Sequence, residues 1–341
     1  MRKKRVIRIV IFVILILVIF YFVPRGPVEA DSGYREVMGT FARVLVVAPN
    51  KKTAQKCIDS AFEQLQKVNL LMSAYNPESE LSKVNKLASE QPVKVSQSTF
   101  DVLEKAVHFS ELTNGAFDVT VGALIDLWRE SADVNHVPSS EQIMAARSRV
   151  GYQNLLLDAN SMTVHFTIDG MKLDLGGIAK GYAIDKAVEV MKTAGARGGM
   201  VDVGGDIRCF GIAIGRKKHW LIGLQDPNVA DERTILTLEL SDSAVTTSGD
   251  YRRFVVIDGR QHSHIFDTNT GQSSRELSSV TVIADEALNA DALATAVSVL
   301  GQKKGLELID SLADTEAVLI TPGPEYQMMM TEGAQRYIYG P

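Results

Sequence analysis

The feature that most constrains this chain is a glycine pair placed between an apolar run and a helix. Met171 to Leu175 is short and apolar, Gly176-Gly177 follows, and a helical pattern then runs through Lys180 to Met191. A chain that turns on two glycines into a helix leaves the first N–H groups of that helix free to face an anion. Lys180 lies within the first turn, where its ammonium can meet a phosphate oxygen. A second segment, Asp291-Ala-Leu-Ala-Thr295, falls on another helical pattern. Asp291 and Thr295 are four residues apart and so share one helix face, and both are hard oxygen donors of the kind Mg2+ takes beside substrate phosphates. Either segment alone is common as a plain turn or a solvated helix face; together they point to chemistry on a nucleotide. The glycine segment fits neither G-x-G-x-x-G nor G-x-x-x-x-G-K-[ST], which argues against both familiar nucleotide-binding folds.

The rest of the chain reads as mixed strands and helices without strict alternation, so the expected fold class is α+β rather than a doubly wound sheet. Gly39 to Ala48 predicts a strand, and Thr53 to Leu71 a helix with apolar positions Ala54, Cys57, Ile58, Ala61, Leu65 and Val68. A helix over Thr99 to Leu112 is opened by Ser96 or Ser98 and closed by Asn114-Gly115, and the capping pattern Ser139-Ser-Glu-Gln142 opens another that stops near Gly151. Strands are expected at Leu155–Asp158, Met162–Thr167, Met200–Val203, Trp220–Leu224, Ile235–Leu240, Phe254–Ile257 and Ser279–Ile283. The helix carrying Asp291 is expected to end near Gly301.

At 341 residues, with 45% hydrophobic and 23% charged content, the chain is ordinary globular material. Its net charge of -5 and the lack of a basic stripe with interleaved aromatics argue against nucleic acid as a partner. The one cationic cluster, Arg2 to Arg5 with Arg8, abuts the apolar run Ile9 to Val23. Two expectations fit it: an uncleaved N-terminal membrane anchor, which the added length of Val6 and Ile7 favours, or a signal peptide cut after Val28-Glu-Ala30. Either way residues 1–30 are anchor or signal plus linker, residues 31–341 are the catalytic domain, and that domain lies outside the cytoplasm, because the Lys/Arg excess holds the N-terminus inside. No cysteine lies near the apolar run, so a lipid anchor is not expected. Cys57 and Cys209 are the only cysteines and allow at most one internal disulfide, with nothing to suggest that they meet.

Eight ordered blocks carry a resemblance. They are Met38-Gly-Thr40; M-S-A-Y-N-P-E-S-E-L-S-K-V-N from Met72 to Asn85; G-A-F-D from Gly115 to Asp118; D-L-G-G-I-A-K-G-Y-A from Asp174; V-D-V-G-G-D-I from Val201; T-S-G-D-Y from Thr247; H-I-F-D-T-N-T-G from His264; and D-A-L-A-T from Asp291. On these blocks the chain resembles the ApbE family, the FAD:protein FMN transferases. One departure stands out: Thr268 occupies a position where the family usually has proline, and its loss should loosen the loop slightly.

The resemblance implies that FAD is cleaved at its pyrophosphate, FMN is joined through phosphate to a threonine or serine hydroxyl of an acceptor protein, and AMP leaves; the alternatives are a hydrolase that cuts FAD into FMN and AMP with water, and a non-catalytic flavin-binding protein. The expected acceptor is an extracytoplasmic electron-transfer subunit. Phosphoryl transfer needs positioning and charge neutralisation. Asp291 and Thr295 would supply side-chain oxygens for Mg2+, and by family analogy the Gly177 carbonyl joins them. Lys180 would be the cation. Asp174 would orient the flavin or its ribose, or act only as a turn former. His264, beside Asp267, is the candidate proton acceptor, or else a histidine holding its loop. The nucleotide would be lined by Met38, Tyr75, Asn85, Ala116, Phe117, Asp118, His264 and Ile265, with Tyr75 and Phe117 as aromatic walls. The pair Gly204-Gly205 reads as a tight turn bringing Asp206 near the site.

Overall fold

The computed structural model describes residues 26–229, 233–249 and 254–340. The apolar run Ile9 to Val23, on which the anchor and signal-peptide readings rest, lies outside the described residues. Among those described, no helix is long and apolar enough to cross a membrane.

In chain order the strands are β1 (Val28–Asp31), β2 (Arg35–Val37), β3 (Thr40–Ala48), β4 (Val93–Lys94), β5 (Leu155–Asp158), β6 (Thr163–Phe166), β7 (Gly198–Val203), β8 (Asp206–Gly211), β9 (Trp220–Gln225), β10 (Thr234–Leu240), β11 (Ala244–Gly249), β12 (Phe254–Ile257), β13 (Arg260–Ser263), β14 (Ser279–Ala284), β15 (Glu316–Ile320) and β16 (Met328–Met330). The helices are α1 (Lys51–Met72), α2 (Glu80–Leu87), α3 (Gln97–Leu112), α4 (Gly122–Asp133), α5 (Ser140–Arg147), α6 (Ala179–Thr193) and α7 (Ala287–Asp310).

The main sheet runs β1-β3-β7-β8-β11-β14-β15-β16, with β2 also paired to β3, and the pairings within it are antiparallel. That is the α+β arrangement the sequence predicts. Side chains alternate across the sheet as the strand period requires. On one face Ala42, Val44, Val46, Val280, Val282, Ala317 and Leu319 meet the apolar sides of α1, α6 and α7. On the other, Val245, Ile283 and Val318 pack under Trp220, Ile222, Leu238 and Leu240 of the β9–β10 hairpin.

Local signals explain most element boundaries. Asn50 caps α1 by accepting from the Thr53 N–H at 2.9 Å, and Ser139 with Gln142 forms the reciprocal capping box of α5. Cys57 and Cys209 are free, buried, and in the clusters on opposite faces of the sheet. Burial pushes the Cys209 thiol up to about 12, so it is inert rather than nucleophilic.

The helical stretch bearing Asp291 ends at Gly301 as expected: Gly301 adopts the non-helical φ 74°, ψ -172°, and beyond this kink a second helical stretch continues to Asp310. Glu276 makes this possible by accepting from the Gln302 N–H at 2.9 Å, which supplies the second stretch with an N-terminal cap from outside the helix. The apolar segment before the glycine pair is extended chain with one isolated parallel bridge, Val121 to Lys172.

Candidate active site

Asn85 and α4 hold the extended segment in place of a sheet neighbour. The Asn85 amide clamps both backbone groups of Leu173, accepting from its N–H at 2.7 Å and donating to its carbonyl at 2.9 Å. Asp174 donates its N–H to the Val119 carbonyl at 2.8 Å, and its own carboxylate accepts from the Gly176 N–H at 2.8 Å, closing an Asx turn onto the glycine pair. Asn85, expected on the nucleotide, thus has both ends of its amide on the chain that leads into the glycine turn.

Helix α6 begins at Ala179 without a side-chain cap, since Ile178 precedes it. The third residue of that helix, Gly181, donates its N–H to Asp291 Oδ2 at 3.0 Å. Asp291 is 3% exposed. One turn on, Thr295 faces Gly177: a Cβ at Gly177 would stand 2.8 Å from Thr295 Oγ1 and 3.4 Å from the Phe117 ring. A bare backbone is therefore required where the two segments meet. The halves singled out in the sequence, 110 residues apart, form one site.

Lys180 points to the sheet. It is ion-paired with Asp206, which is buried at the start of β8, and the other oxygen of Asp206 accepts from the Thr247 N–H at 3.1 Å. The turn that delivers Asp206 uses Gly204 (φ 67°) and Gly205 (φ 93°), a left-handed pair that side-chain-bearing residues rarely adopt.

Of the other candidates, Phe117 reaches this centre. Phe117 is buried, edge-on to Phe109, and its ring comes close to Gly177. Ala116 is buried just before it. Asp118 is buried with its carboxylate occupied by Thr120 and by the Tyr152 N–H at 2.9 Å; burial raises its pKa, and its contacts here are those of a loop anchor. Tyr75 is 75% exposed, and Arg129 of α4 stacks on its ring and donates to its hydroxyl. Met38 occupies the β2–β3 turn at φ 54°, half-buried against the core. His264 is exposed just after β13, and Ile265 is buried beside it.

Thr268 corrects an expectation. Its hydroxyl donates to the Gly115 carbonyl at 2.8 Å, and its own carbonyl accepts from Arg147, so the loop is tied to its neighbours where proline would only have stiffened it.

Sequence reasoning passed over Asp185 and Arg208. Asp185 lies one turn after Gly181 on the same face of α6, a spacing that marks it as a neighbour of whatever Gly181 touches. Its carboxylate accepts from Ala287 N–H and Leu288 N–H, both at 2.9 Å, and pairs with Arg208 at 2.5 Å.

Chemically, the centre brings together one buried carboxylate, one hydroxyl, a bare glycine backbone and a held ammonium. Among the described residues no three His, Cys, Asp or Glu side chains gather as a metal cage. An all-oxygen set of carboxylate, hydroxyl and main-chain carbonyl suits Mg2+ completed by phosphate and water.

The chain is similar to known proteins. The chain is 32% identical over 312 residues to the FAD:protein FMN transferase of Treponema pallidum, covering 87% of this chain and 86% of that one. It is 36% identical over 266 residues to the FAD:protein FMN transferase of Vibrio cholerae, covering 77% and 78%. Among solved structures, the ApbE protein of Thermotoga maritima superposes with a TM-score of 0.82 at 33% identity, covering 92% of this chain and all of that one. The flavin transferase ApbE of Vibrio cholerae gives 0.79 at 29% identity with the same coverage. The model of the ApbE family matches residues 38–319, a span that holds every candidate residue named above, and the chain belongs to that family.

Proposed function

We propose that this protein is an Mg2+-dependent FAD:protein FMN transferase acting on a threonine or serine hydroxyl of an extracytoplasmic acceptor protein. The observation that carries this reading is the meeting of the Asp291–Thr295 face with the Gly176–Gly181 turn. The bare glycine backbone of the turn lets the pyrophosphate approach closely, and Lys180, held by Asp206, adds positive charge beside it. Asp291 and Thr295, with the Gly177 carbonyl, would hold Mg2+, whose chemistry is to neutralise charge on the phosphate oxygens. In the transfer, the acceptor oxygen bonds to the FMN phosphorus, the pyrophosphate P–O bond breaks, and AMP leaves with the bond's electrons. The hydroxyl proton goes to His264, whose neutral imidazole suits that role near pH 7.

The same reading places the catalytic domain on the outer side of the membrane, supported by the basic cluster before the apolar run. The acceptor is then an outward-facing protein, most simply an electron-transfer subunit.

The test is to incubate the full chain with FAD, Mg2+ and a candidate acceptor and weigh the acceptor. The expected result is a mass gain equal to one FMN phosphoester, with AMP released in equal amount. Asp291→Ala should fold and lose on the order of a hundredfold or more in rate. Near-normal transfer by that variant would refute the metal assignment, and free FMN without acceptor labelling would point to hydrolysis instead.

A further inference from the structure

Neither helix that builds the centre caps itself. Ile178 precedes α6 and Glu286 precedes α7, and neither side chain accepts from its own helix. Four N–H groups at each helix start lack intrahelical partners, and leaving them buried and unpaired is costly. The structure answers this by exchange. Asp185 of α6 accepts from the first two N–H groups of α7, and Asp291 of α7 accepts from the third N–H of α6. The helix starts are in direct contact, since a Cβ on Gly181 would lie 2.3 Å from the Ala287 carbonyl oxygen.

We infer that Asp185, held by Arg208, is the positioning residue of the metal site: it sets the register of α7 against α6 and so fixes where the Asp291 and Thr295 oxygens stand. The inference rests on the proposed metal role of those two residues. Three observations support it. Asp185 holds α7 at Ala287 and Leu288, one turn before Asp291, so displacement there is passed along rigid helix to Asp291 and, a further turn on, Thr295. The Asp291 carboxylate is anchored at one oxygen by Gly181, and that bond can persist only while the two helix starts keep their spacing. Arg208 reaches Asp185 from β8, whose first residue is Asp206, so the strand that holds Lys180 also holds the α6–α7 junction.

An asparagine at this position can accept from one of the two N–H groups, but its NH2 faces the other donor. Asp185→Asn should therefore displace the first turn of α7 without emptying the site. Partners that orient a metal-binding carboxylate are typically worth about ten- to a hundredfold in metal affinity.

The experiment titrates Mn2+ into the full chain with FAD present and acceptor absent, following free Mn2+ by electron paramagnetic resonance. In parallel, FAD affinity without metal and the Mg2+ dependence of transfer are measured. For Asp185→Asn we expect Mn2+ affinity to fall about tenfold or more, metal-free FAD affinity to stay unchanged, and transfer to recover at saturating Mg2+. Arg208→Lys keeps a cation beside the carboxylate and should weaken Mn2+ binding in the same direction by a smaller factor. It also serves as the test should Asp185→Asn fail to fold. Unchanged Mn2+ affinity in the folded variants, even with a lowered melting temperature, overturns the inference and leaves Asp185 as structural only. Asp291→Ala separates the two readings: if it binds Mn2+ normally, the metal assignment itself fails, whereas loss of Mn2+ there with normal binding in Asp185→Asn sinks the positioning role alone.

Discussion

Lys180 has two duties that a single substitution would confuse. Its ammonium neutralises Asp206, which is 1% exposed, and it is also the proposed cation of the pyrophosphate site. Removing one member of a buried pair leaves an uncompensated charge at a cost of about 3 kcal/mol or more. Lys180→Met is therefore expected to lower the melting temperature and FAD affinity together. The double variant Lys180→Met/Asp206→Asn should regain most of the stability and none of the FAD affinity, as read by thermal melts and flavin titration. Recovery of FAD binding in the double variant would reduce Lys180 to a structural role. The residue types of the centre were legible in the sequence, because the glycine pair, the lysine and the Asp–Thr spacing each have a local signature. Their partners were not. That Asn85 clamps Leu173, or that Thr268 ties to Gly115, depends on pairings across 88 and 153 residues, which no local pattern encodes.

At the scale of elements, helices α1, α3 and α5 stand close to where the sequence puts them, whereas the short α2 went unread although Ser79 caps it by accepting from the Ser82 N–H. Helix α4 went unread because Val121, before it, makes no side-chain cap, although the buried Leu124 and Trp128 stand four apart. Met171 to Leu175 has a strand's composition, but its hydrogen bonds go to a side-chain amide and a loop. The α6–α7 contact yields a sharp expectation. Gly181→Ala would drive a methyl into the backbone of Ala287 and Leu288 and should destabilise the fold by roughly 2 kcal/mol or more, with loss of metal-dependent transfer; normal melting would show that the helices can part freely. The β12–β13 hairpin carries another. His262 is buried against Trp128, and burial, followed by the charges of Arg275 and Arg260, holds its pKa below the usual imidazole value. On acidification the unfolded chain protonates first, so the stability that neutral His262 contributes is complete above the usual imidazole value and is lost as pH falls through the folded one. Melting temperature should drop between about pH 7 and 5, and His262→Gln should flatten that slope; an unchanged slope would assign the acid sensitivity to other groups.

Across the whole molecule, a nine-stranded sheet separates two cores, with α1, α6 and α7 on one side and the β9–β10 hairpin on the other. The α+β class followed from the mixture of patterns along the chain, but the strand order did not, since β11 pairs with both β8 and β14 through contacts remote in sequence. The proposed outward location belongs to this scale. Protease added to cells stripped of their outer wall should digest the domain while cytoplasmic markers survive; protection until the membrane is lysed would overturn both the location and the acceptor class. The exchange of caps between α6 and α7 also bears on how the protein is made. Synthesis proceeds from the N-terminus, so α6 emerges with its first turn exposed while the carboxylate that will cover it is still untranslated, 110 residues downstream. A nascent or truncated chain lacking α7 has the glycine turn and the lysine but no Asp291 or Thr295, so it cannot assemble the centre on its own. The proposed metal site can thus form only after α7 has docked onto α6.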